Sequence, residues 1–229
     1  MTGLDLATLQ ENIRVGTFMI PLILLAFALH EMAHAYAATW FGDPTPARHG
    51  RRTLNPIRHL DPVGTIMIVA SMLLFGFPFG FAVTPVNDEL MRKPRLHGAL
   101  TALAGPMVNI IMCGISLVLL VVAYEHYGPV MPGEDVPFLL EAADRSMTFN
   151  AFLAVFNLLP IPPLDGGRIV GSFMNRHMQA EWNKIGEYGI FIILALVLFG
   201  GGSFQQFVGQ LSTWLLQFVD LFVDSPFLF

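Results

Sequence analysis

The sequence predicts an all-α polytopic membrane protein, on three observations. First, charged residues make up only 13% of the 229, hydrophobic ones 54%, and 20 phenylalanines stand beside 12 lysines and arginines in total. Soluble domains average roughly 25% charged residues, and a soluble fold of this size could not cover its surface with so little charge. Second, the chain offers about five apolar stretches near the ~20 residues that a helix needs to cross a hydrocarbon core. Third, basic residues crowd some connections between these stretches and acidic residues fill another. The net charge of −5 brings no strongly basic face, so no nucleic-acid partner is expected. The single cysteine, Cys113, excludes an intramolecular disulfide and a cysteine metal cluster. No repeat or long linker divides the chain, which reads as one membrane-embedded domain over 1–229.

The stretches follow in order. The first, 15–41, is interrupted only by His30, Glu31 and His34; residues 1–12 carry acids rather than bases, unlike a removable signal peptide. The second, 62–87, is uncharged and contains Gly76, Pro78 and Gly80; the third is 98–124. The fourth, 146–164, holds Asn150, Asn157, Pro160, Pro162 and Pro163. The fifth, 188–219, has Gly200-Gly201-Gly202-Ser203 at its middle and reads as one span followed by a half-span or interfacial helix.

Short-loop lysines and arginines mark the cytoplasmic side. Arg48, Arg51, Arg52 and Arg58 follow the first stretch, Arg92, Lys93 and Arg95 precede the third, and Arg168, Arg176 and Lys184 follow the fourth; 125–144 is acidic. Both flanks of 62–87 are therefore basic, although a full span would place them on opposite sides. A re-entrant segment resolves the conflict, because non-helical backbone at depth is tolerated where protein or a water-filled cavity covers it. The first span then runs inward, 98–124 outward, 139–159 inward and 185–199 outward, with the amino terminus outside.

His30-Glu31-Met32-Ala33-His34 decides the chemistry. Residues four apart share a helix face, so His30 and His34 can hold one zinc ion, with Glu31 as general base. Two histidines and a glutamate at hydrocarbon depth cost several kcal/mol unless paired or hydrated. From His30 to Phe41 is ~16 Å of helix, which sets the group near mid-membrane, towards the cytoplasmic end. A catalytic zinc site takes three protein ligands and keeps one position open. His97 and His126 flank a span, and His49, His59 and His177 lie in loops. Asp165 follows three prolines that break a helix and precedes two glycines that permit a tight turn. Alone it reads equally as a membrane-edge residue or helix cap; beside His30 and His34 it is the best third ligand.

Three blocks together resemble the site-2 protease family of intramembrane zinc metalloproteases, in its compact prokaryotic form without a PDZ domain. They are His30-Glu-Met-Ala-His34 through Gly42-Asp43; Leu54-Asn55-Pro56 through Gly64-Thr65, Gly76-Phe-Pro78 and Ala104-Gly105-Pro106-Met-Val-Asn109; and Phe156-Asn157-Leu-Leu-Pro160 through Asp165-Gly166-Gly167-Arg168. They cover about 15–175, leaving 176–229 as C-terminal helices. The resemblance implies a three-helix catalytic core (15–41, 98–124 and 139–160) and one zinc per chain on His30, His34 and Asp165, with Glu31 as base. Asn109 and Asn157 are the expected catalytic polar residues, orienting substrate backbone or an oxyanion, with a helix–helix hydrogen bond as the alternative. Gly105 and Pro106 read as close packing and a local bend. The implied substrates are transmembrane proteins or signal-peptide remnants in a prokaryotic cytoplasmic membrane, with an upstream protease or regulatory membrane protein as partner. A membrane metal transporter and an inactive binding protein of the same family are the rival readings; no inverted repeat favours the first, and the intact Glu31 opposes the second.

Overall fold

The structure is a computed structural model that describes residues 6–53, 55–59, 61–75, 84–128 and 136–189, with isolated positions from 191 to 217. Among the described residues seven α-helices and two short 3-10 turns have bounds, further helical positions fall between 191 and 217, and there is no strand. Helix α1 (Leu6–Phe41) carries the His-Glu-His motif and is followed by the single turn α2 (Thr45–Arg48). Asp61 opens α3 (Pro62–Phe75) by accepting the Gly64 N–H at 2.9 Å. The long α4 (Pro94–Tyr127) starts on a proline, whose missing N–H costs nothing in a first turn, and stops at Gly128, at φ 76°. Helices α5 (Phe138–Asn157), α6 (Asp165–Phe173) and α7 (Arg176–Glu187) complete the order.

Helices α1, α4 and α5 form the core that positions the site. Ala28, Ala35 and Ala38 of α1 and Gly98, Ala99, Ala102 and Gly105 of α4 are buried, as helices packing closely in lipid require. Met19, Ile23 and Ala26 of α1 form one cluster with Ile68 and Met72 of α3 and Phe149 and Leu153 of α5. Cys113 and Leu117 of α4 pack with Met147 and Ala151 of α5, so Cys113 is packing filler as its apolar surroundings suggest.

Among the described residues, two helices are long and apolar enough to cross a membrane, Val15–Phe41 and Pro94–Tyr127. In α4 only 28% of the apolar window is buried. Met107, Ile111, Ile115, Val118 and Val122 form an exposed stripe at helical spacing along it. A core helix of a soluble protein would hide such a stripe, whereas lipid leaves it where it is.

The observed helices differ from the expected spans at their ends. Helix α1 starts at Leu6 and α4 at Pro94, ahead of 15 and 98, because polar turns continue a helix beyond hydrocarbon depth. Helix α5 runs from Phe138 and carries Glu141, Asp144 and Arg145 in its first turns, with Glu141 and Arg145 paired at 2.9 Å. It ends at Asn157 instead of 160, since Pro160 disfavours helical backbone just before it.

Both flanks of 62–87 sit against the C-terminal half of α1. On one flank, Arg52 lies over the Tyr36 ring, 5.1 Å from its centroid. On the other, the fully buried Asp43 accepts N–H groups from Thr45 at 2.9 Å and from Asn87 at 2.7 Å. Arg92 then caps α1, its backbone N–H on the Phe41 carbonyl at 3.1 Å and its Nη2 on the Trp40 carbonyl at 2.9 Å. Between these flanks, Met72 of α3 reaches Gly16, far up α1. Residues 76–83, with Gly76, Pro78 and Gly80, and most of 188–219 lie outside the described residues.

Candidate active site

His30 and His34 project from one face of α1, and Asp165 enters from the first turn of α6. Their metal-facing atoms form a nearly equilateral triangle. His30 Nε2 is 3.1 Å from His34 Nε2 and 3.1 Å from Asp165 Oδ2, which is 3.2 Å from His34 Nε2. All three residues are buried. The Nδ1 atom of His34 faces the Thr101 carbonyl at 2.7 Å, an acceptor only, so Nδ1 carries the proton and Nε2 presents a lone pair. The Nδ1 atom of His30 is held by Asn109 Oδ1. Three electron-rich atoms thus converge in a buried space, an arrangement that a cation satisfies. Tetrahedral zinc with nitrogen and oxygen ligands at about 2.0–2.1 Å sets those ligands roughly 3.3–3.4 Å apart, close to the spacing found. The residues fit the metal.

Glu31, His30 and His34 can bring one ligand atom each within 4.8 Å of the others. Glu31 is buried, its backbone carbonyl accepts from Thr84 Oγ1 at 3.2 Å, and its Oε2 atom has no hydrogen-bond partner. A buried carboxylate oxygen left without a partner is costly, and a polar guest at the site would relieve it.

Two glycines make room for the delivery of Asp165. A Cβ on Gly166 would collide with the Leu158 carbonyl, and one on Gly167 would sit 2.8 Å from the Ile161 oxygen. Trp182 of α7 fastens the same turn by donating Nε1–H to the Gly167 carbonyl at 2.8 Å.

The structure separates the two asparagines. Asn109 is fully buried and both ends of its amide are engaged, Oδ1 on His30 Nδ1 and Nδ2 on Asn150 Oδ1 at 2.9 Å. Asn157 donates Nδ2–H to the Leu153 carbonyl in its own helix at 2.9 Å. The other histidines with a described contact are engaged elsewhere. His59 Nε2 meets the Thr53 carbonyl at 2.7 Å, and His97 stacks on Phe41.

Three participants escaped the sequence reading: the Thr101 carbonyl, Gly105 as neighbour of the ligands, and Asn150. A Cβ on Gly105 would lie 2.6 Å from His30 Nε2 and closer still to His34 Nε2. The available signal was spacing, since Thr101, Gly105 and Asn109 recur every four residues and so share one face of α4. Pro106 adds to it by removing the N–H that would bond the Ala102 carbonyl, weakening the ladder in the turn that serves His34.

A helical scaffold that buries a His-Glu-His motif with a facing aspartate defines a zinc metallopeptidase. The sequence model of Peptidase family M50 matches residues 140–200. YwhC of Bacillus subtilis, by name a candidate zinc metalloprotease, is 39% identical over 187 residues, 82% of this chain and 83% of that protein. Rip2 of Mycobacterium tuberculosis (strain Erdman), of the same description, is 33% identical over 91% of this chain and 77% of its own. The archaeal MJ0611 of Methanocaldococcus jannaschii is 28% identical over 86% and 85%. The chain belongs to Peptidase family M50, the site-2 proteases, and zinc is its cofactor. No solved structure matches it.

Proposed function

We propose that the protein is an intramembrane zinc endopeptidase that hydrolyses peptide bonds in or near transmembrane segments of other proteins. The convergence of His30 Nε2, His34 Nε2 and Asp165 Oδ2 beside the unpartnered Glu31 Oε2 carries this reading. When bound there, zinc polarises the scissile carbonyl and acidifies water. Glu31 takes the proton of the attacking water and returns it to the departing amide nitrogen, so one carboxylate serves as base and then as acid. Asn109 acts on His30 as a positioning residue. For Asn157 we retain the role of orienting substrate near the site.

A transmembrane substrate helix hides its carbonyls in i→i−4 bonds and must unwind before attack. On this reading residues 84–87, which lie outside any helix, receive the unwound stretch; the contact of Thr84 with the Glu31 carbonyl supports it. The contacts of both flanks of 62–87 with the C-terminal half of α1 support a re-entrant segment. Arg48, Arg51, Arg52, Arg92, Lys93 and Arg95 lie near that end of α1, while Glu125 is at the far end of α4. This distribution supports water entry from the cytoplasmic side of a prokaryotic membrane. The partners are a transmembrane protein or signal-peptide remnant and, upstream, a first protease or a regulatory membrane protein.

Glu31→Gln tests the mechanism. The variant is expected to keep its zinc and to lose cleavage of a transmembrane reporter substrate in proteoliposomes. Retained cleavage in a clean preparation would refute the assignment of the base.

A further inference from the structure

A chain of buried hydrogen bonds leaves the metal-facing site through His30 and ends on a backbone carbonyl of α5. Asn109 Oδ1 meets His30 Nδ1, Asn109 Nδ2 meets Asn150 Oδ1, and Asn150 Nδ2 meets the Ser146 carbonyl at 2.8 Å. Asn109 is 0% exposed and Asn150 2%, so water does not compete for these bonds. Each asparagine amide has one end that only donates and one that only accepts. The order in which they face is therefore chemical information.

We propose that Asn150 is a positioning residue which, through Asn109, fixes the tautomer of His30 and so makes its Nε2 a metal ligand. The Ser146 carbonyl can only accept, so Asn150 must turn its NH2 towards it. That leaves Asn150 Oδ1 facing Asn109, which must answer with its own NH2. Asn109 Oδ1 then faces His30, and the imidazole must carry its proton on Nδ1. The lone pair is thereby confined to Nε2, the atom 3.1 Å from Asp165 Oδ2. A flipped Asn109 would present NH2 to His30, draw the lone pair to Nδ1 and leave a proton on Nε2, where no metal can bind. His34 needs no such chain, since its Nδ1 meets the Thr101 carbonyl directly. One ligand is thus set by a backbone acceptor in one step, and the other by a backbone acceptor relayed through two amides. Ser116 donates to Ser146 Oγ at 2.9 Å, but a hydroxyl can rotate and does not set polarity.

The inference rests on the zinc reading above, and its test separates the two. Zinc affinity is measured on the detergent-purified full chain by competition with a chromophoric chelator, for wild type, Asn150→Ala, Asn109→Asp and Asn109→Asp/Asn150→Ala. Asn150→Ala frees the Asn109 amide to flip and is expected to weaken zinc roughly 10–100-fold, the usual cost of losing an outer partner of a ligand. A carboxylate at 109 accepts from either oxygen and cannot present a donor, so its orientation needs no Asn150. The alanine beside it also leaves room for water to meet the second oxygen. The double variant is accordingly expected to regain most of the affinity lost by Asn150→Ala, which a merely structural role of Asn150 would not allow. Asn150→Ala binding zinc as tightly as wild type overturns the inference, as does a double variant no tighter than Asn150→Ala with helical content intact. Wild type that binds no zinc overturns the metal reading itself, and the inference with it.

Discussion

Replacing Gly105 with alanine should remove zinc without weakening the helix that carries it. The added Cβ would lie 2.6 Å from His30 Nε2 and nearer still to His34 Nε2, where ordinary contact begins at 3.4 Å. His30 must therefore retreat by about 0.8 Å, and His34 by more. Metal sites hold their ligand distances to about ±0.2 Å, so neither imidazole can retreat that far and still coordinate. The affinity loss should exceed the roughly 10–100-fold typical of outer-partner substitutions, since both ligands themselves are displaced. Helix propensity acts in the opposite direction, because alanine is about 1 kcal/mol better than glycine in a helix interior. Gly114→Ala, on the same helix with nothing within 4 Å of its Cβ, isolates that propensity gain. The assay is zinc affinity by chelator competition beside thermal unfolding of both variants in detergent without metal. Gly105→Ala should unfold no earlier than apo wild type yet bind zinc at least about 100-fold more weakly, and Gly114→Ala should bind it as wild type does. Wild-type zinc affinity in Gly105→Ala would refute the placement of α4 against the ligands.

Other substitutions probe the supports of the site. Asp43→Ala leaves the Thr45 and Asn87 N–H groups without their acceptor, at about 1–3 kcal/mol each; unfolding in detergent should shift accordingly while zinc content is kept. Gly166→Ala drives a Cβ into the Leu158 backbone. Overpacking of this kind costs about 1–3 kcal/mol or more, and zinc should fall with it because Asp165 is the adjacent residue; full zinc occupancy would contradict the role of this turn in delivering the carboxylate. Chelation should lower the unfolding midpoint reversibly, since a ligand at 100 times its dissociation constant stabilises the fold by about 2.7 kcal/mol. An unfolding midpoint indifferent to zinc would contradict a ligand set drawn from α1 and α6.

The parts legible in the sequence were those whose partners lie close along the chain or whose chemistry is out of place. His30, Glu31 and His34 share one helical turn, and charge at hydrocarbon depth marks them at once. Asp165 stands out through the prolines and glycines around it, and the structure shows the two glycines clearing backbone collisions at Leu158 and Ile161. The basic flanks of 62–87 pointed to one side of the membrane; in the structure Arg52 lies over Tyr36 of α1 and Asn87 donates to Asp43 just beyond it. Asn109 was legible as a polar residue near the centre, and the helix–helix hydrogen bond given as its alternative role is the contact the structure shows, but its particular partners were not legible. Its partners His30 and Asn150 come from two other helices, and only their packing shows that both ends of the amide are spent. Gly105 was legible as close packing, but a residue without a side chain gives no sign of what it is packed against. The Thr101 carbonyl belongs to the backbone, which every residue shares, so nothing in the sequence singles it out.

The central claim is a zinc site built from His30, His34 and Asp165. Elemental analysis of the detergent-purified protein, beside His30→Ala, His34→Ala and Asp165→Ala, tests it most directly. The account predicts about one zinc per chain in wild type, the single site that three protein ligands define, and its loss in all three variants with helical content preserved. Zinc retained in Asp165→Ala, or none in a folded wild type after zinc addition, would contradict it.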